Sequence, residues 1–300
     1  VPVRDARGRM IASVALQAPV ARLPLARAME YVPSLQAAAA VLLDLVADFP
    51  FASPAHASAW LAALLTPIAR PALGTEAVPL FLVDGNRMGT GKTRLVQLIA
   101  EILFGRSMAV STLSEDEEMR KNITTIALSG DPAVLYDDTT WLGGKVLCRL
   151  LTNPGAWRDR LLGFNREVVL PVTATFYASG NNVAVHGDVV RRVLHVRLVT
   201  QDVNPDARQQ FTRPRILQDV RTHRGEYLAA ALTILRAYCA AGRPEQPMPA
   251  WGSFEAWSDL VRGALVWAGQ PDPYEVTEQL RAEHDDARTG LVALVEGWAE

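Results

Sequence analysis

The residue types and spacing that most directly imply chemistry lie in the octapeptide Asn86-Arg87-Met88-Gly89-Thr90-Gly91-Lys92-Thr93. Small residues allow successive backbone N–H groups to turn inward around a β-phosphate, and a helix beginning at the end of the loop adds the positive end of its dipole. A lysine in the seventh place reaches the β- and γ-phosphates, and the threonine hydroxyl after it suits Mg²⁺. All eight residues are therefore candidates for holding Mg-ATP, with Lys92 a catalytic candidate and Thr93 a metal candidate. The usual first glycine of G-x-x-x-x-G-K-S/T falls on Asn86, with Gly85 one place early, so the entry to the loop departs from the pattern.

Further residues suit the same chemistry. Asp137-Asp138 close the apolar run Ala133 to Tyr136. One carboxylate in that position can hold the Mg²⁺ shell and the next can polarise the attacking water; Asp137 is assigned to the metal and Asp138 to water. Alone, an acidic pair after a strand is an ordinary turn, and its weight here comes from lying downstream of the loop. Asn181 or Asn182, after the apolar run Val172 to Ala178, places an amide where it can hydrogen-bond the γ-phosphate and the lytic water, although asparagine pairs also make turns. Arg191-Arg192 stand just before Val193 to Val199. A guanidinium set against a neighbouring subunit's γ-phosphate would stabilise transition-state charge; the alternative is a solvated basic pair.

These side chains need elements to aim them. Pro79 to Asp84 is a short apolar run before the loop and Thr93 to Phe104 an amphipathic stretch after it, giving strand, loop, helix. Before that strand, Ser34 is an expected N-cap for a helix over Leu35 to Phe49, and Ser53-Pro54 opens one to about Leu65 that Pro67 and Pro71 break. Ala109 to Leu113 reads as a strand, and Ser114 with Glu117 as a capping box for a helix to about Ala127. A helix over Lys145 to Leu151 follows the acidic pair. Trp157 to Leu162 and Arg166 to Leu170 then flank Gly163-Phe164-Asn165 as a β-hairpin, and the strand Val172 to Ala178 stops at Ser179. From Arg208 the reading is helical, clearest over Tyr227 to Ala241, with a last helical region from Phe254 to Trp298 interrupted near Gly269 to Pro273. Strands alternating with helices imply an α/β fold with a mostly parallel sheet. The expected organisation is an N-terminal helical segment (1–77), a nucleotide-binding core (78–200) and a C-terminal helical domain (201–300).

Composition bounds the rest. The chain has 300 residues, 49% of them hydrophobic, enough for a large core. No apolar run is long enough to span a bilayer and no leader is evident, so a cytoplasmic protein without membrane contact is expected. The first residue is Val rather than Met, which suggests a piece of something longer. Cys148 and Cys239 lack metal spacing, as do the five histidines, so neither a disulfide framework nor a zinc site is expected. A net charge of −2 makes no global case for nucleic acid, and any such contact must come from a local basic patch. Arg158, Arg160 and Arg166 around Phe164 form one, pairing phosphate neutralisation with a stacking surface. Alternating arginines on a ribbon also make a plain solvent face.

Over about residues 78 to 200 the order of parts resembles superfamily 3 helicases of the AAA+ ATPases, as found in the helicase modules of phage and mobile-element primase-helicases. The resemblance is carried by GTGKT at Gly89 to Thr93, LYDD at Leu135 to Asp138, a hairpin, SGNN at Ser179 to Asn182 and DVVRR at Asp188 to Arg192. DFPF at Asp48 to Phe51 and GSFEAW at Gly252 to Trp257 add to it. It implies an AAA+ core and an ATP hydrolase acting as a DNA helicase motor in replication. It also implies ATP and Mg²⁺ at subunit interfaces, a ring that is usually a hexamer, and single-stranded or forked DNA in its channel. Arg158, Arg160, Phe164 and Arg166 would contact that DNA, and Arg191 or Arg192 would act in trans. A nucleotide-gated replication initiator or loader, or a protein-remodelling AAA+ ATPase, is the alternative.

Overall fold

The computed structural model describes residues 2–4, 10–13, 29–160, 166–202, 205, 211–284, 290 and 298. At the N-terminus β1 (Pro2–Arg4) and β2 (Met10–Ser13) form an antiparallel ribbon. Five strands then form a wholly parallel sheet: β3 (Leu80–Gly85), β4 (Ala109–Ser111), β5 (Ala133–Leu142), β8 (Thr175–Val185) and β9 (Val193–Leu198). Their order across the sheet is β4-β5-β8-β3-β9, so the strand that feeds the glycine-rich loop lies between its two latest partners. β6 (Trp157–Arg160) and β7 (Glu167–Leu170) make a separate antiparallel hairpin.

A parallel sheet survives only with both faces covered, and the period-2 alternation of β3 shows how that is done. Phe81 and Val83 join one core with α1 (Val32–Leu45), α2 (Pro54–Leu73), α3 (Lys92–Phe104) and α7 (Arg224–Ala240). Leu80 and Leu82 join a second core with α4 (Asp116–Ser129) and α5 (Lys145–Thr152). Between β9 and α7 lies the short α6 (Ile216–Thr222). After α7 come α8 (Glu255–Trp257), a π turn (Ser258–Arg262), α9 (Gly263–Trp267) and α10 (Glu275–His284). Their aromatic residues Trp251, Phe254 and Trp257 are buried in the first core, the packing role their spacing suggests.

Several boundaries differ from the sequence expectation. Ser34 is not the cap of α1: Pro33, whose ring presets a helical φ and whose missing N–H costs nothing in a first turn, lets the helix start at Val32, and it ends at Leu45. α2 does not break at Pro67 and Pro71 but runs on to Leu73. Pro67 cannot donate to the Ala63 carbonyl one turn back, and the Tyr177 hydroxyl of β8 donates to that oxygen instead, at 2.8 Å. Ser114 caps nothing. α4 starts at Asp116 behind Glu115, and Asp116, Glu117 and Glu118 in its first turn complement the helix dipole.

β5 and β8 also extend further than expected. Their paired register slips between Tyr136 and Thr139, and again before Trp141. Asp138 and Asn182 take left-handed backbone angles, φ 52° and 46°. The acidic pair and the asparagines are therefore irregularities within long strands rather than strand ends, a device that re-aims side chains without ending the ladder. At its start β8 is shorter than expected: Val172 donates its N–H to Pro154, outside the sheet, and the strand begins at Thr175.

Candidate nucleotide site

The glycine-rich loop leaves β3 and ends where α3 begins, at Lys92. Its unusual entry has a structural explanation. Asn86 donates from Nδ2 to the Thr200 carbonyl at 2.8 Å and accepts the Thr200 N–H on Oδ1 at 3.1 Å. The side-chain amide thus ties the loop to the chain leaving β9, a contact a glycine cannot make. The close approach falls one residue earlier: a Cβ on Gly85 would lie 2.5 Å from Thr90 Oγ1 and 3.0 Å from Lys92 Cδ. Glycine is required there because the loop folds back over the strand end. Arg87, Met88 and Gly89 are exposed at the tip. The Arg87 guanidinium donates to the Asp202 carbonyl at 3.0 Å.

Lys92 is buried, with 8% exposure. Its Nζ donates to Asn181 Oδ1 at 2.6 Å, to the Arg87 carbonyl at 3.1 Å and to Thr90 Oγ1 at 3.3 Å. Thr93 Oγ1 lies 3.5 Å from Asp137 Oδ1, and the Ser179 hydroxyl donates to that same oxygen. Asp138 is exposed, and its N–H donates to Asp137 Oδ1 at 3.0 Å. Asn182 donates to the Asn86 carbonyl at 3.3 Å. Loop, acidic pair and asparagines thus meet beyond the carboxyl end of β3, where the neighbouring β8 and β5 run on past it with slipped register, at the edge of the sheet where open α/β sheets place their ligands. The structure brings together Lys92, Thr93, Asp137 and Asn181. Ser179, the first residue of SGNN, belongs with them through its bond to Asp137; its signal in the sequence is a hydroxyl two residues before the asparagine.

The donor set fits a hard cation: a hydroxyl and a carboxylate within 3.5 Å of each other, both partly exposed. Among the described residues no group of three or more His, Cys, Asp or Glu side chains could hold a metal unaided, so Mg²⁺ here would be completed by substrate oxygens and water.

A cavity of about 600 Å³ opens beside Gly89, Thr90 and Gly91. Its walls include Phe49 and Pro50 on one side and Phe211, Pro214, Ile216 and Leu217 on the other. Asp48 joins the two sides, accepting from the Thr212 hydroxyl at 3.0 Å and the Arg213 N–H at 3.2 Å. The Phe49 ring packs on the loop itself, with Cε1 2.8 Å from where a Cβ on Gly91 would stand. Local pattern gave no hint of this wall, because its halves are some 160 residues apart in the chain.

The two arginines of DVVRR separate cleanly. Arg192, 6% exposed, donates to Thr152 Oγ1 at 2.8 Å and to the Asp188 carbonyl at 2.7 Å, and pairs with the Asp188 carboxylate. The Arg191 side chain is 53% exposed and pairs with the other oxygen of Asp188. Burial works against ionising Asp188, but the Arg191 hydrogen bond and the charges of Arg192 and Arg191 outweigh it and hold the carboxyl below its ordinary value. Of the two, only Arg191 is exposed to solvent.

On the hairpin, Trp157 and Asp159 face inward. The Trp157 indole donates to Thr124 Oγ1 at 3.0 Å, and Asp159 pairs with Arg120 and accepts from the Thr124 hydroxyl. Arg158 and Arg160 are exposed on the opposite side, with Arg158 4.0 Å from Glu167, and Arg166, just before β7, is exposed as well. Phe164 lies outside the described residues. Of the histidines, His56 is buried under β9, and burial lowers its pKa to about 4, so it is neutral at pH 7.

No protein-family model and no curated protein matches the chain. Among solved structures it is similar to the A form apo structure of the NrS-1 C-terminal region, with TM-score 0.40 and 18% identity over 74% of this chain and 49% of that one. It is also similar to the JCV helicase, with TM-score 0.33 and 14% identity over 80% and 68% of the two chains. The chain spans about half the length of the NrS-1 structures it matches. Function has to be read from the geometry of the site.

Proposed function

We propose that this chain is the ATP-hydrolysing motor of a DNA helicase or translocase, acting in the replication of a phage or mobile element. The observation that carries the reading is the convergence of Lys92 on Asn181 at 2.6 Å beside the Thr93 and Asp137 pair at 3.5 Å. Three separate stretches of sequence supply the phosphate-binding cation, the metal ligands and a polar group for the γ-phosphate. The loop N–H groups and the α3 dipole hold the β-phosphate, while Lys92 shifts from its contacts with Arg87 and Thr90 to the β- and γ-oxygens. Thr93 and Asp137 would hold Mg²⁺, which would supply charge neutralisation. Asp138 takes up the proton of the attacking water, and Asn181, with Asn182 beside it, orients that water against the γ-phosphate. The nucleoside occupies the cavity between Phe49 and the Phe211 to Leu217 side.

The working unit is a ring, with six subunits the expected number, in which Arg191 completes a neighbour's site. Arg158, Arg160 and Arg166, with Phe164, line a channel for single-stranded DNA. Exposed Arg158 and Arg160 on one side of a ribbon whose other side is buried support this part of the reading. Among the described residues no helix is long and apolar enough to cross a membrane.

Steady-state ATP turnover with and without single-stranded DNA is the test. The expected result is Mg²⁺-dependent hydrolysis stimulated several-fold by DNA. Slow turnover indifferent to DNA would instead make the chain a nucleotide-gated binding protein.

A further inference from the structure

Asp84 has no part in the site as described so far. It occupies β3 two residues before Asn86, is 1% exposed, and is a carboxylate in a strand otherwise made of Leu, Phe, Val and a final Gly. Burying such a group is costly unless it is balanced and hydrogen-bonded, so its surroundings should reveal what holds it there. Its Oδ1 accepts the backbone N–H of Val183 at 3.2 Å. Its Oδ2 lies 3.4 Å from His195 Nε2 and 3.6 Å from Arg197 Nη1, both from β9 on the opposite side of β3 from β8. The charge is thus balanced from β9, while the directed bond goes to β8.

Val183 is where that bond matters. The β3–β8 ladder ends at the pair Gly85 and Asn181, and Asn182 then turns to φ 46°. The N–H that follows leaves the regular ladder, and Asp84 receives it. On its other side β8 is pressed against β5, for a Cβ on Gly180 would stand 1.9 Å from the Thr139 carbonyl oxygen. Gly180 against β5 and Val183 against Asp84 therefore bracket the two asparagines, one of which meets Lys92.

We propose that Asp84 is a positioning residue for hydrolysis: by holding Val183 it sets where Asn181 and Asn182 stand over the γ-phosphate. This rests on the reading of the site as an ATPase. The contrasting role is that of a buried ion cluster with His195 and Arg197 that serves stability alone.

Asp84→Ala removes the acceptor, and Asp84→Val removes it while filling the strand with a residue suited to its buried face. Asp84→Asn keeps an amide oxygen for the Val183 N–H. In a wild-type chain that hydrolyses ATP, the first two should lower kcat about 10-fold with KM for ATP within about threefold, and Asp84→Asn should recover most of the rate. Combining Asp84→Ala with Asn181→Ala should slow turnover no further than Asn181→Ala alone, since one acts through the other. Wild-type kcat in Asp84→Ala and Asp84→Val would overturn the proposal, and so would a fully additive double mutant. Loss of a cooperative thermal transition in both variants would assign Asp84 to stability and overturn it as well. A wild-type chain without ATP turnover would instead remove the ATPase reading beneath it.

Discussion

The polar groups around the carboxyl end of β3 and those on the β6–β7 hairpin are organised in opposite ways. Around the end of β3, Lys92, Thr93, Asp137, Ser179 and Asn181 are joined to one another within a single chain. On the hairpin the inward positions Trp157 and Asp159 are bonded to α4, and the arginines between and beyond them face solvent. Arg191 and Arg192 repeat that contrast within one turn, one side chain built into the fold and the other half out of it. Arg191 and Arg158 also have partners in the chain, Asp188 and Glu167, but their side chains stay more than half exposed.

The contrast can be broken first at its strongest point. Lys92→Ala removes the cation that the strand-end cluster is built around and should reduce ATP turnover by roughly 10³-fold or more, measured by phosphate release. Turnover near wild type would mean that the cluster is not where hydrolysis occurs. The arginine pair gives the next largest effect. Arg191→Ala should lower assembled-state turnover on the order of 10²-fold or more without lowering the thermal midpoint, and mixing it with Lys92→Ala should restore part of the activity. Arg192→Ala should instead lower the midpoint by roughly 5 °C, because it strips partners from Asp188 and Thr152. Failure of mixed assemblies to recover any activity would place Arg191 with the inward groups. The smallest effect sharpens the hairpin side. Replacing Arg158, Arg160 and Arg166 together with Ala should weaken single-stranded DNA binding and flatten its logarithmic salt slope by about 2, with DNA-free turnover little changed. Affinity measured over a salt series decides it, and an unchanged slope would leave the hairpin a plain solvent face.

How much of this was legible beforehand depended on the reach of the interaction. The strand, loop and helix around Lys92 and the acidic pair after Tyr136 are specified by neighbours within a turn or a strand, and a linear pattern shows them. The parallel sheet followed from the alternation of strands with helices. The persistence of α2 through Pro67 was not legible, because the hydroxyl that donates to the orphaned Ala63 carbonyl belongs to a tyrosine 114 residues away. Nor was the reason for Asn86 in place of glycine, since Thr200, also 114 residues distant, is its partner. SGNN and LYDD could be recognised as motifs, but they looked like strand ends until the pairing of β5 with β8 beyond them showed bulges. The pair Arg191-Arg192 is symmetric in sequence. Only packing against Thr152 and Asp188 decides which guanidinium is buried, because burial is a property of the assembled surface and not of residue type.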